Sequence, residues 1–180
     1  MTFRVVFFAE KAYLSFVKES LTISYSDHEK EVERGAVCAI ALACALEAIV
    51  NSVLANYTSL RHYDDLRFRS KIDTLFDLGK LELAWDKLPL QRIASLIRLR
   101  DWLVHYKNSD IGLINSEGQW IVDALNKQPK HDPDAELVFK NIELLYRAVL
   151  DTAICLAEAL SAEEEFAYLK TEEFGSFLVG

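Results

Sequence analysis

In the stretch "RLRDWLVHYK", residues 98 to 107, three cations, one carboxylate and one imidazole interrupt a run of Leu, Trp, Val and Tyr. Asp101 and His105 stand four apart, the spacing that makes two side chains neighbours on one helix face, with Ala94 and Arg98 flanking them. A carboxylate beside an imidazole favours the protonated ring and fixes its orientation. Arg100, five residues before His105, falls on a different side of the helix, within a broad arc of Ile93, Leu96, Ile97, Leu103 and Val104. A guanidinium there needs a partner. Attack of a 2′-hydroxyl on its own phosphodiester needs a base, an acid and a cation for the charge on the phosphoryl oxygens, and His with Arg supplies all three without a metal. One chain offers one His in this constellation, so two copies related by a two-fold axis would bring two His and two Arg to a shared cleft. The same residues also suit a buried Arg–Asp pair or a polar seam between two copies, and the spacing alone does not choose.

Two residues of an earlier helix enter as supports. Glu47 and Asn51, four apart, are placed to line the same cleft and hold Arg100, or to form an ordinary hydrogen-bonded pair within the bundle. The remaining histidines carry less chemistry. His28 lies in a helix-start signal and His62 in a polar connection. His131 adjoins Asp132, which is explained as an N-cap. Trp85, Trp102 and Trp120 do not interleave with a basic pattern, so packing suits them better than base stacking. No Gly-rich phosphate loop, HExxH or GxSxG pattern is present, and neither a metal nor a cofactor is expected.

The elements that must position these residues are helical. The chain has 180 residues, 51% of them hydrophobic, with only six Gly and three Pro. That is enough for a substantial core and too few turn residues for many short strands, so a single all-α domain over residues 1–180 is expected. Its core covers about residues 3–160, followed by an acidic extension over about 161–180. The first helix is predicted from about Phe3 to Leu21. Ser26 to Glu29, "SDHE", has capping-box form and starts a second helix reaching about Tyr57, apolar nearly all round and therefore central. A third helix ends at Gly79, and a fourth runs from Pro89 to Lys107. Residues 108 to 130 read as a loop with a short helix or small hairpin around Trp120. A fifth long helix begins with Asp132 as cap and Pro133 at its first position, with a stripe from Val138 to Leu160. A short last helix is expected after Ser161.

The formal net charge of -8 disfavours a protein that grips nucleic acid over its whole surface. The charge is polarised, however. Arg92, Arg98, Arg100 and Lys107 form one basic group and Arg61, Arg67, Arg69 and Lys71 another, whereas residues 158–173 hold six Glu against Lys170 alone. Cys38, Cys44 and Cys155 lack metal-ligand spacing and read as reduced core thiols. The longest apolar run, Ala36 to Leu46, is too short to span a bilayer, and the N-terminal run is too short for a signal peptide. A cytoplasmic protein is expected, with no membrane partner.

The segment "RDWLVH" resembles the hallmark of the HEPN superfamily, helical bundles with an Arg, a polar residue and a His four to six positions on. Arg100, Asp101 and His105 occupy those places, and "FRSKIDTLFDLG" is similar to the helix that precedes the motif-bearing one. The resemblance implies a HEPN-like bundle of about five main helices, a homodimer pairing the motif helices, and metal-independent endoribonuclease activity in toxin–antitoxin or defence systems. RNA would be the substrate, and an antitoxin or regulatory protein the partner. By that implication Arg100 stabilises the phosphorane, His105 moves protons and Asp101 orients them. One subgroup carries a modifiable Tyr two positions after the His, where this chain has Lys107. Two further readings stand beside it: a non-catalytic interaction or regulatory module using the same residues as a dimer seam or anion site, and a helical adaptor in which the motif is accidental.

Overall fold

The computed structural model describes residues 9–56, 65–105, 113–116, 119–122 and 132–171. Five helices of eleven or more residues form the bundle: α1 (Ala9–Leu21), α2 (His28–Ala55), α3 (Phe68–Leu78), α4 (Leu90–Val104) and α6 (Phe139–Ala159). A four-residue helix, α5 (Pro133–Glu136), precedes α6, and a 3-10 turn spans Ala167–Lys170. Between α4 and α5, strands β1 (Leu113–Ser116) and β2 (Gln119–Val122) form an antiparallel hairpin in which Asn115 pairs with Trp120. The expected hairpin around Trp120 is thus present beside a helical body. The proposed starts of the first helix before Ala9, together with His62, Tyr106, Lys107 and His131, lie outside the described residues.

α2 is the centre because it is apolar on every side. It packs against α1, α3, α4 and α6 and buries twelve residues, including Leu42, Leu46, Ile49 and Val53. By length and composition it is also apolar enough to cross a bilayer, but most of that surface is covered by the other helices. Its cap is Asp27, whose carboxylate accepts the Glu29 N–H at 3.1 Å. The capping box expected from Ser26 is therefore displaced by one residue, because a charged acceptor suits the positive helix start better than a hydroxyl.

The predicted fifth helix is two helices. Asp132 caps α5 as expected, accepting the N–H groups of Asp134 and Ala135. The chain then breaks at Leu137 and Val138 before α6 starts. α2 causes the break to be useful: the Leu137 backbone lies against Gly35, and the Phe139 N–H donates to Glu31 Oε1 at 2.8 Å. A continuous helix would lift this backbone off α2.

Both α3 and α6 close with the same C-terminal bonding pattern. Leu81 N–H donates to Phe76 O and Lys80 N–H to Asp77 O; Ala162 N–H donates to Ala157 O and Ser161 N–H to Glu158 O. The residue that takes the left-handed conformation is Lys80 (φ 52°) in one and Ser161 (φ 56°) in the other. Gly79, expected to supply that conformation, is right-handed instead, and an added Cβ would stand 3.1 Å from the Ala159 Cβ. Its role is close approach of α3 to α6.

The core continues past residue 160. Phe166 and Leu169 are buried, Glu165 accepts hydrogen bonds from Ser52 and Asn56 at the end of α2, and Lys170 pairs with Glu158. At least to Leu169, the acidic segment is part of the bundle's own packing. In place of the expected last α-helix it carries turns and the 3-10 turn.

Candidate functional site

α4 begins after Pro89 and buries Leu90, Ile93, Leu96 and Leu99 against the core. Those four fix its rotation, so the faces carrying Arg100 and His105 are set by packing. Arg100 points toward α2. Its Nη1 donates to Asp101 Oδ1 at 2.9 Å, and its Nη2 stands 3.9 Å from Glu47 Oε2. The side chain keeps 36% of its exposure, so the guanidinium is braced by two carboxylates at a surface position. The hydrogen bond to Asp101, with the charges of Asp101 and Glu47, holds its pKa above the ordinary arginine value, despite a smaller opposing effect of burial. Arg100 is therefore a fixed cation, fit to stabilise negative charge and unfit to move a proton.

His105 is the C-cap of α4, with φ -104° and ψ 18°, and its N–H donates to Asp101 O at 3.0 Å. Its ring is exposed and makes no hydrogen bond to Arg100 or Asp101. At about 100° per residue, five positions separate Arg100 and His105 by about 140° around the helix. The Asp101 carboxylate, expected to orient the imidazole, is turned to Arg100. One protomer thus assembles Arg100, Asp101 and Glu47, with the exposed His105 on the neighbouring face.

Asn51 does not join this group. Its Oδ1 accepts from the Lys71 ammonium at 2.8 Å, and Lys71 is a buried residue of α3. The tryptophans that are described pack rather than stack on an open platform: Trp85 donates to Asp73 Oδ1 under the Arg69 guanidinium, and Trp102 lies against the core. Among the described residues no group of three or more His, Cys, Asp or Glu side chains is arranged to hold a metal ion.

On the side of α4 away from Arg100, a cleft of about 320 Å³ opens toward α5 and α6. Arg92, Ser95 and Arg98 line it, and Arg98, Asp101 and His105 follow one another along the same stripe of the helix. The run of Arg92 and Arg98 was visible in the sequence as local positive charge; that both border one cleft depends on α6, which no local pattern places.

No protein-family model, curated protein or solved structure matches this chain.

Proposed function

We propose that this protein is a HEPN-like, metal-independent endoribonuclease whose active site is completed by a second copy of the chain. The observation that carries the reading is the state of Arg100, a partly exposed guanidinium braced by Asp101 and Glu47 on the helix that ends in the exposed His105. In this reaction the 2′-hydroxyl attacks the adjacent phosphorus and the 5′-oxygen of the next nucleotide leaves, giving a 2′,3′-cyclic phosphate. His105 of one protomer takes the 2′-hydroxyl proton and that of the other returns a proton to the leaving oxygen. Arg100 faces the phosphoryl oxygens and stabilises their added charge, while Asp101 and Glu47 hold it in place. The 140° between Arg100 and His105 supports the two-copy form, since side chains on separate faces of one helix converge more readily when a second helix contributes.

One observation favours a second reading, that of a non-catalytic interaction or regulatory module. Two carboxylates already neutralise Arg100, as in an ion pair that seals a dimer seam. End-labelled RNAs of mixed sequence, incubated with the protein in excess EDTA, separate the two. The nuclease cuts as wild type and loses at least about a hundredfold in rate as Arg100→Ala or His105→Ala. Equal inertness of all three proteins supports the binding module.

A further inference from the structure

The cleft on the far side of α4 holds a pair of cations that form no ion pair with a described carboxylate. With 28 acidic residues in the chain, most arginines described have an obvious role: Arg100 and Arg147 pair with carboxylates, while Arg34 and Arg69 stack on aromatic rings. Among the described residues neither Arg92 nor Arg98 lies within 4 Å of a carboxylate. Both line the same cleft of about 320 Å³. They are six residues apart, about 9 Å along the axis, so they stand at its two ends with Ser95 midway.

The polar groups around them are themselves held in place by hydrogen bonds. Ser95 Oγ donates to the Gln91 carbonyl and accepts from Arg98 Nη2 at 3.1 Å, which steadies Arg98 without removing its charge. Asn141 enters from α6, its amide anchored on the Glu136 carbonyl at 2.6 Å. Among the described residues Glu136 is the one acid lining the cleft, and its carboxylate accepts the Asp132 N–H at 3.0 Å. Burial holds the Asp151 carboxyl above its ordinary range, and the charges of Arg147 and then Arg92 oppose that rise only in part.

We propose that this cleft is a phosphate site, in which Arg92 and Arg98 donate to the nonbridging oxygens of one phosphate group of a nucleotide chain. Two forked guanidiniums spaced along the α4 wall of an open cleft can each donate paired N–H groups to a tetrahedral oxyanion, where an ammonium would act as a point charge. Arg98 continues along the Asp101 and His105 stripe, so a strand held here by one phosphate runs on toward the imidazole. The inference deepens the RNA reading by naming where the strand is gripped. Phosphate binding itself does not require cleavage.

The test uses a fluorescently labelled decamer of 2′-O-methyluridine, which cannot undergo 2′-hydroxyl attack, with inorganic phosphate and uridine monophosphate as separate ligands. Anisotropy and calorimetry are measured in EDTA on wild type, on Arg92→Gln with Arg98→Gln, on Ser95→Asp and on Lys140→Gln, a control removing an exposed α6 cation. The double variant and Ser95→Asp are expected to lose about tenfold or more in affinity, with unchanged helix content, while Lys140→Gln stays within about twofold. The dependence of log K on log salt flattens by about 0.7 in the double variant, the value for one lost single-strand phosphate contact. Wild type that binds none of the three ligands, or a double variant that binds as well as wild type, overturns the proposal. Binding of phosphate and the monophosphate but not the decamer keeps the site and removes the RNA strand as its source. Decamer binding that survives Arg100→Ala and His105→Ala, with no RNA ever cut, keeps the site and removes the nuclease.

Discussion

The carbonyl oxygen of Leu137 lies where a side chain at residue 35 would begin: a Cβ built on Gly35 falls 1.7 Å from it. This contact lets the break between α5 and α6 seat directly on α2, and with it the α6 wall of the Arg92–Arg98 cleft. Ala favours a helix interior over Gly by up to about 1 kcal/mol, so local propensity predicts that Gly35→Ala stabilises. The contact predicts the reverse, a net loss of about 2 kcal/mol or more in urea unfolding, because backbone must move.

Asn51 holds a structural cation rather than the site. Replacing it by Leu strips the buried Lys71 ammonium of its acceptor, and a loss of about 1–3 kcal/mol is expected. Adding Lys71→Met restores much of that loss, since an apolar pair of similar size needs no acceptor. The coupling is read from the double-mutant cycle of urea midpoints, and additive losses would contradict it.

Lys80 and Ser161 pay a steric cost in the left-handed region that glycine avoids. Lys80→Gly and Ser161→Gly are each expected to raise stability by about 0.5–1 kcal/mol, and together to add. Thermal unfolding of the two single variants and the pair checks this.

Burial, reinforced by the nearby Glu10 carboxylate, pushes the Tyr168 phenol far above its ordinary range, and its hydroxyl donates toward Glu10 at 3.4 Å. The unfolded phenol ionises near pH 10, while the folded one stays protonated. The stability this group contributes is therefore complete below about pH 10 and is lost as the pH rises beyond it. Urea unfolding between about pH 9 and pH 11 is expected to show a decline that is shallower in Tyr168→Phe.

Much of the scaffold was legible because it is local. Gly and Pro scarcity, the Asp132 cap and the apolar circumference of α2 all act within a few residues, and they place the described ends of α2 and α4 to within a turn, whereas the expected fifth helix is split at Leu137 and Val138. Features that depend on two distant segments were not. Gly35 reads as a blemish in a helix until Leu137 is seen against it, and Asn51 reads as a neighbour of Glu47 until Lys71 arrives from α3. At the candidate site the sequence supplies Arg100, Asp101 and His105 and their angular separation. It does not say that Asp101 turns to Arg100 and away from His105, because that choice depends on Glu47 completing the same ion-pair group.

The central claim is that His105 and Arg100 drive attack by the substrate's own 2′-hydroxyl. The most direct measurement is cleavage, in excess EDTA, of a labelled DNA oligonucleotide containing a single ribonucleotide, with product ends identified by mass. The account predicts one cut, immediately 3′ of the ribonucleotide, leaving a 2′,3′-cyclic phosphate and a 5′-hydroxyl, and none with His105→Ala. Products ending in a 5′-phosphate, cuts at deoxynucleotides, or equal cutting by His105→Ala would contradict it.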